Sequence, residues 1–152
     1  MPKQIYFAGP LFTQAEWQWN KELARQLRNE KLIVLLPQET AQPMLQGVKA
    51  FDAHAIFAEN LRNVEKCDCV MAILDQPDPD SGTCWECGYA YGLKKPIIGL
   101  RTDLRGVGDD PNSGLNLMLS QSCRTIIKVP PAEREDVKWI ANQIRAAITN
   151  LK

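Results

Sequence analysis

One histidine, His54, is all that the 152 residues offer, and that scarcity excludes much. A Ser-His-Asp triad would have to be built on His54, which lies in an apolar helical stripe where a satisfied core or boundary histidine is the ordinary occupant. A metal cluster of several histidines with carboxylates cannot be assembled at all. Neither charge is in excess, because 18 basic side chains balance 18 acidic ones. That balance argues against a protein that coats nucleic acid, although a local patch fits inside a neutral total. No apolar run approaches the ~20 residues that a membrane-spanning helix needs. The N-terminus, MPKQIYFAGP, runs from one lysine straight into a strand-like segment and does not read as a signal peptide. No G-x-G-x-x-G follows the first strand, Gly106-Val-Gly108 runs into Asp109-Asp110-Pro111, and a G-x-x-x-x-G-K-S/T phosphate loop is absent. The expectation is one soluble, cytoplasmic globular domain over residues 1–152, which at 45% hydrophobic residues buries ~70% of its unfolded surface.

Cysteine is present in an odd number: Cys67, Cys69, Cys84, Cys87 and Cys123. Without a secretion signal, a disulfide scaffold is not expected. Cys67-x-Cys69 and Cys84-Trp-Glu-Cys87 have spacings seen in zinc sites, and the second also that of a thioredoxin-like redox pair. Cys69, however, opens the apolar run Cys69-Val-Met-Ala-Ile-Leu74. Buried, inert thiols are the expectation.

Short apolar runs alternate with helix-period segments along the chain. Residues 5–8, 32–36, 69–74, 96–100 and 125–129 read as five strands. Ala15, Trp19, Leu23 and Leu27 mark one helical face, and His54, Phe57, Leu61 and Val64 another. Residues 83–94 form a third helix, and Val137, Ile140, Ile144, Ile148 and Leu151 give the cleanest stripe. The stretch with Pro43 and Gly47 reads as a polar loop, and residues 101–113 as a long loop expected to be mobile. The β-α-β-α order predicts a flavodoxin-like (Rossmann-like) α/β fold, a five-stranded parallel sheet with helices on both faces. Ligands on such sheets bind beyond the carboxyl ends of the strands, near the reversal of strand order. That rule selects residues 9–13, 75–83 and 101–116.

What remains there is carboxylate chemistry. Asp75, Asp78 and Asp80 follow the third strand, with Asp80 or Ser81 as the cap of the next helix. Glu86 then falls in the first helical turn, where the positive helix end favours an ionised carboxylate. Such a group is a fit nucleophile for an electrophilic sugar carbon, and its alternative is an ordinary first-turn glutamate. Gly82, Gly88, Ala90 and Gly92 surround it. Because glycine inside a helix costs ~1 kcal/mol relative to alanine, these positions signal either close approach of a ligand or tight packing on the sheet.

Three segments, in this order and spacing, carry a resemblance over nearly the full chain: Ile5-Tyr-Phe-Ala-Gly-Pro10, Asp80-Ser-Gly-Thr-Cys-Trp-Glu86-Cys-Gly-Tyr-Ala90 and Leu115-Asn-Leu-Met118. Together they resemble the nucleoside 2-deoxyribosyltransferases. The resemblance implies transfer of a 2'-deoxyribosyl group between nucleobases, with 2'-deoxynucleosides and free bases as partners and no metal or organic cofactor. Glu86 matches the nucleophile that attacks C1' and carries a covalent intermediate through a ping-pong reaction, the two-step logic of retaining glycosidases. Tyr6 matches a tyrosine that holds the nucleophile, and Asp80 an aspartate that contacts the base and exchanges its proton. Asn116 matches an asparagine that reaches the sugar 5'-hydroxyl from a neighbouring subunit, which implies a homo-oligomer, dimer or hexamer, with shared sites. Phe12 falls where an aromatic lines the base pocket, and Gly9 of the first motif is grouped with the substrate-binding residues.

The chain departs from the family at Asn60, where an aspartate is common. Asparagine keeps hydrogen bonds but exchanges no proton at neutral pH, so acid–base work falls on Asp80. Asp68 lies at the opposite, amino edge of the sheet and reads as structural. Two other readings stay open. An N-glycosidase would use the same glutamate with water as acceptor. Relatives acting on 5'-phosphates need donors after the first strand, where Gly9-Pro10-Leu11-Phe12 offers none; Arg101 and Arg105 are candidate phosphate ligands, although loop arginines are more often solvated or paired with acids such as Asp103. A non-catalytic nucleotide-binding module on the same fold would tolerate loss of Glu86.

Overall fold

A computed structural model describes residues 1–106 and 108–151. Five strands, β1 (Lys3–Ala8), β2 (Leu32–Leu35), β3 (Cys69–Ile73), β4 (Ile97–Arg101) and β5 (Thr125–Lys128), form one all-parallel sheet in the order β2-β1-β3-β4-β5. Parallel neighbours need helix-length crossovers. These run through α1 (Gln14–Leu27), α2 (Pro37–Leu45), α3 (Ala53–Lys66), α4 (Ser81–Gly92) and α5 (Leu117–Ser122), and α6 (Val137–Thr149) closes the chain. Strand order reverses between β1 and β3, where Tyr6 registers with Val70 and Ala8 with Ala72.

The pleat divides the core in two, because successive side chains point to opposite faces. Ile5, Phe7, Met71 and Ile73 pack beneath Leu23 and Leu27 of α1 and Ile140, Ile144 and Ile148 of α6. Tyr6, Ala8, Val70, Ala72 and Leu74 face the other way, toward Val64 of α3, Cys87 and Ala90 of α4 and Leu119 of α5. β3 is buried along its whole length, which accounts for its uninterrupted apolar sequence. All five cysteines are free. Burial pushes their thiols up, Cys123 to about 11 and Cys69 to about 12, as inert thiols require. Among the described residues, no helix is long and apolar enough to cross a membrane.

Three expectations are corrected. Residues 37–45 are helical rather than a polar loop, because Pro37 takes the first helical position, where its missing N–H costs nothing, and Leu36 and Ala41 are buried. α5 is absent from the periodicity reading because six residues cover less than two turns. On α3, His54 is exposed and Phe57 half exposed, and Val64 alone of the expected stripe is buried. This helix meets the sheet near its C-terminus and leaves the rest of its apolar face on an open groove. The loop after β4 is tied to β3: the Arg101 guanidinium donates to the carbonyls of Leu74, Gln76 and Arg105, and Asp75 accepts from the N–H groups of Thr102 and Asp103. Val107, within the loop expected to be mobile, lies outside the described residues.

Candidate active site

β1 turns Tyr6 toward α4, where it is fully buried. Its hydroxyl donates to Glu86 Oε1 at 2.6 Å. Burial, with the neighbouring Glu86 carboxylate, pushes the hydroxyl far above its ordinary range, so Tyr6 remains a donor. Burial likewise pushes Glu86 up to about 7. The Tyr6 hydrogen bond pulls it down, and the nearby Asp80 carboxylate pushes it up again.

This corrects the expectation of a first-turn glutamate held ionised by the helix end. Asp80 is the N-cap of α4, with Oδ2 accepting from the Thr83 N–H at 2.8 Å and the Thr83 hydroxyl at 3.0 Å. Glu86 therefore falls in the second turn, beyond the unpaired N–H groups. Its environment is set by Tyr6 and by burial instead.

Residues at the start of α4 line two concavities. One, of about 540 Å³, lies beyond the carboxyl ends of β1 and β3, between Phe12, Trp19, Asp75, Asp80 and Arg134. The other, of about 310 Å³, places Glu86 with Asn60, Phe51, Phe57, Gly82 and Trp85. Phe12 is 77% exposed at the edge of the larger cavity. Gly9 lines neither; a Cβ there would stand 3.3 Å from Ile73 Cδ1, so its smallness lets the chain leave β1 over Ile73. Asn116 lines a third groove, of about 420 Å³, with Gly88, Tyr91, Met118 and Asp78, the last of which also lines the larger cavity. Its Oδ1 accepts from the Met118 N–H and caps α5. Asp80 and Phe12 thus line the larger cavity and Glu86 and Asn60 the other, with Tyr6 hydrogen-bonded to Glu86, whereas Asn116 lines a third groove and Gly9 none of the three.

The small residues of α4 are also clarified. A Cβ at Gly88 or Gly92 would meet nothing within 4 Å, so tight packing on the sheet is not their cause. After β1, the N–H groups of Phe12 and Thr13 donate to Glu16 Oε2 at 2.9 and 2.8 Å, closing a capping box on α1. Arg105 pairs with Asp103, as its sequence neighbourhood suggests, while Arg101 is spent on backbone carbonyls. Asp68 accepts from the Gln4 N–H at the amino edge, a structural task. Sequence reasoning misses Trp85 and Arg134. Trp85 stacks on Tyr89 (5.4 Å between centroids) and tilts against Phe57 (5.8 Å), and the Trp85/Tyr89 spacing on one helix was its only signal. Arg134 has none, since it reaches the cavity through the return of the chain from β5 to α6.

Known proteins resemble this chain in sequence and in fold. Residues 5–118 match the family model of the nucleoside 2-deoxyribosyltransferases. An uncharacterized protein of Ureaplasma parvum serovar 3 is 32% identical over 103 residues, a stretch that covers 62% of this chain and 63% of that protein. A conserved protein from Enterococcus faecalis V583 superposes with a TM-score of 0.72 at 29% identity, covering 92% of this chain and 99% of its own. The 2-deoxyribosyltransferase from Bacillus psychrosaccharolyticus shares the fold, with a TM-score of 0.69, 23% identity and coverage of 91% and 90%. For a 2-desoxiribosyltransferase from Leishmania mexicana the values are 0.62, 26%, 78% and 85%. The match of the family model over most of its length shows that this chain belongs to the nucleoside 2-deoxyribosyltransferase family.

Proposed function

We propose that this chain, acting as one domain, exchanges the nucleobase of 2'-deoxynucleosides by a ping-pong mechanism. The observation that carries the reading is the 2.6 Å hydrogen bond from Tyr6 to Glu86 Oε1, beside Asp80 at the ligand edge of the sheet. Tyr6 engages one carboxylate oxygen and leaves Oε2 free to attack C1'. As the Oε2–C1' bond forms, the C1'–N bond breaks, and its electron pair goes to the base nitrogen with a proton supplied by Asp80, which enters this half-reaction as the carboxylic acid and leaves it as the carboxylate. In the second half, a nitrogen of the incoming base attacks C1', the Glu86 carboxylate leaves, and Asp80 takes the N–H proton. Atoms and charge balance without an added reagent. Asn60 shares the groove of Glu86 and is a hydrogen-bonding group for sugar or base, and Phe12 forms an apolar wall for the base. Asn116 and Glu86 line different grooves of one protomer, and this reading assigns the contact of Asn116 with the 5'-hydroxyl to a neighbouring subunit of a homo-oligomer. A 2'-hydroxyl would need room beside Glu86 and Tyr6, which favours deoxyribose.

The deciding experiment is incubation with deoxyinosine, with and without free adenine, followed by chromatography. Deoxyadenosine formed only when adenine is present is the expected result. Free deoxyribose and hypoxanthine released regardless of adenine would mean that water is the acceptor and the chain is an N-glycosidase. Thymidine as a second donor guards against a narrow base preference. Equal turnover of adenosine and deoxyadenosine would sink the preference for deoxyribose.

A further inference from the structure

Arg134 follows the 3-10 turn Pro131–Glu133 and lines the larger cavity opposite no partner. Its Nε and Nη2 are shielded from water and make no hydrogen bond among the described residues, a costly condition for charged donors. Among the described residues no carboxylate forms an ion pair with it, although Glu16, Asp75, Asp78 and Asp80 line the same cavity. Three of those four are engaged elsewhere: Glu16 by Phe12 and Thr13, Asp75 by Thr102 and Asp103, and Asp80 by Thr83. Arg134 thus lines the cavity with a guanidinium edge that no hydrogen bond from the described residues holds.

The Nε–H and Nη2–H groups lie on one edge of a planar group and project in parallel, so they match two adjacent acceptors. Resting on the proposed transfer reaction, we infer that Arg134 receives the acceptor edge of the nucleobase and selects 6-oxopurines, hypoxanthine and guanine. Their O6 and N7 form such a pair, the one that arginine reads on guanine in DNA. Adenine sets an amino donor beside N7, and uracil and thymine separate their oxygens by an N–H. Cytosine has an adjacent O2/N3 pair, but it begins beside the glycosidic bond, whereas Arg134 lines the cavity that Glu86 does not. A phosphate is the wrong occupant, because a dianion there would face four carboxylates.

The test compares the full-length protein with Arg134→Gln and Arg134→Lys. Dissociation constants for free hypoxanthine, adenine, cytosine and deoxyadenosine 5'-monophosphate are measured by calorimetry. KM and kcat for each base as acceptor are measured with thymidine as donor. The hypoxanthine-to-adenine affinity ratio should fall roughly ten- to hundredfold in Arg134→Gln, the worth of a bidentate charged contact, and less in Arg134→Lys, which keeps the charge but loses the fork. The change should appear in KM rather than kcat. A ratio constant within about threefold, less than one hydrogen bond is worth, would overturn the inference. So would a larger loss for cytosine or for the monophosphate than for hypoxanthine. Absence of turnover in the unaltered protein would refute the transfer reaction, and the calorimetric ratio would still decide the role of Arg134. Arg134 Nε and Nη2 hydrogen-bond nothing among the described residues, and the lysine variant keeps the test open should the glutamine variant unfold.

Discussion

Replacing Glu86 by glutamine probes the electrostatics of the site apart from catalysis. Glutamine keeps the side-chain volume and an oxygen to accept from the Tyr6 hydroxyl, but it cannot ionise. Glu86 stands at about 7 in the folded chain against an ordinary 4.5, chiefly because it is buried. Between those values the folded state holds a proton that the unfolded chain has released. The contribution of Glu86 therefore favours the fold fully below 4.5 and is lost as pH rises through 7. At 1.36 kcal/mol per pKa unit, the loss between pH 5 and pH 8 comes to about 2.5 kcal/mol in the unaltered protein and is absent from the variant. Urea unfolding of both proteins at pH 5 and pH 8, at equal protein concentration, isolates it, because every other titration is shared. With slopes of ~1–3 kcal/mol per molar urea, the difference between the two midpoints should change by about 1 M across that interval, with Glu86→Gln gaining at pH 8. A midpoint difference that is the same at both pH values would refute the argument that burial raises Glu86.

The same shift governs activity, since the ionised carboxylate is the nucleophile. kcat/KM for the donor should rise about tenfold from pH 6 to pH 8 with an inflection near 7, and a flat profile measured by initial rates would contradict it. Tyr6→Phe removes the hydrogen bond that lowers Glu86, so the inflection should move to higher pH while kcat falls on the order of tenfold; a shift to lower pH would show that Tyr6 has another role. Asn60→Asp puts a second carboxyl in the Glu86 groove and should also displace the profile toward alkaline pH, because like charges disfavour each other's ionisation. Ile144→Ala empties a fully buried position between α6 and the sheet and should cost ~2–5 kcal/mol in denaturant unfolding. A loss below about 1 kcal/mol would mean that this face is less tightly packed than the coordinates show.

Periodicity and punctuation were enough to place most of the elements. The apolar run at Cys69 and the regular stripe ending at Ile148 can be read as a buried central strand and a docked helix because burial on two faces, or on one, leaves different spacings in the chain. The order of those elements implied the parallel sheet, and with it the edge where a ligand must lie. Local rules also narrowed the cap to Asp80 or Ser81, of which the fold uses Asp80, and kept Asp68 away from the site, since both depend on neighbours near in sequence or on strand polarity. Other features needed the folded chain. The state of Glu86 is decided by burial and by Tyr6, which stands 80 residues away, and a helix-turn rule could not anticipate either. The exposed stripe of α3, the placing of Asn116 and Glu86 in different grooves and the arrival of Arg134 beside Phe12 are likewise decided by how the elements dock. A sequence records which side chains want to be buried or to cap a helix; which charge ends up beside which depends on distances that close only when the sheet is assembled.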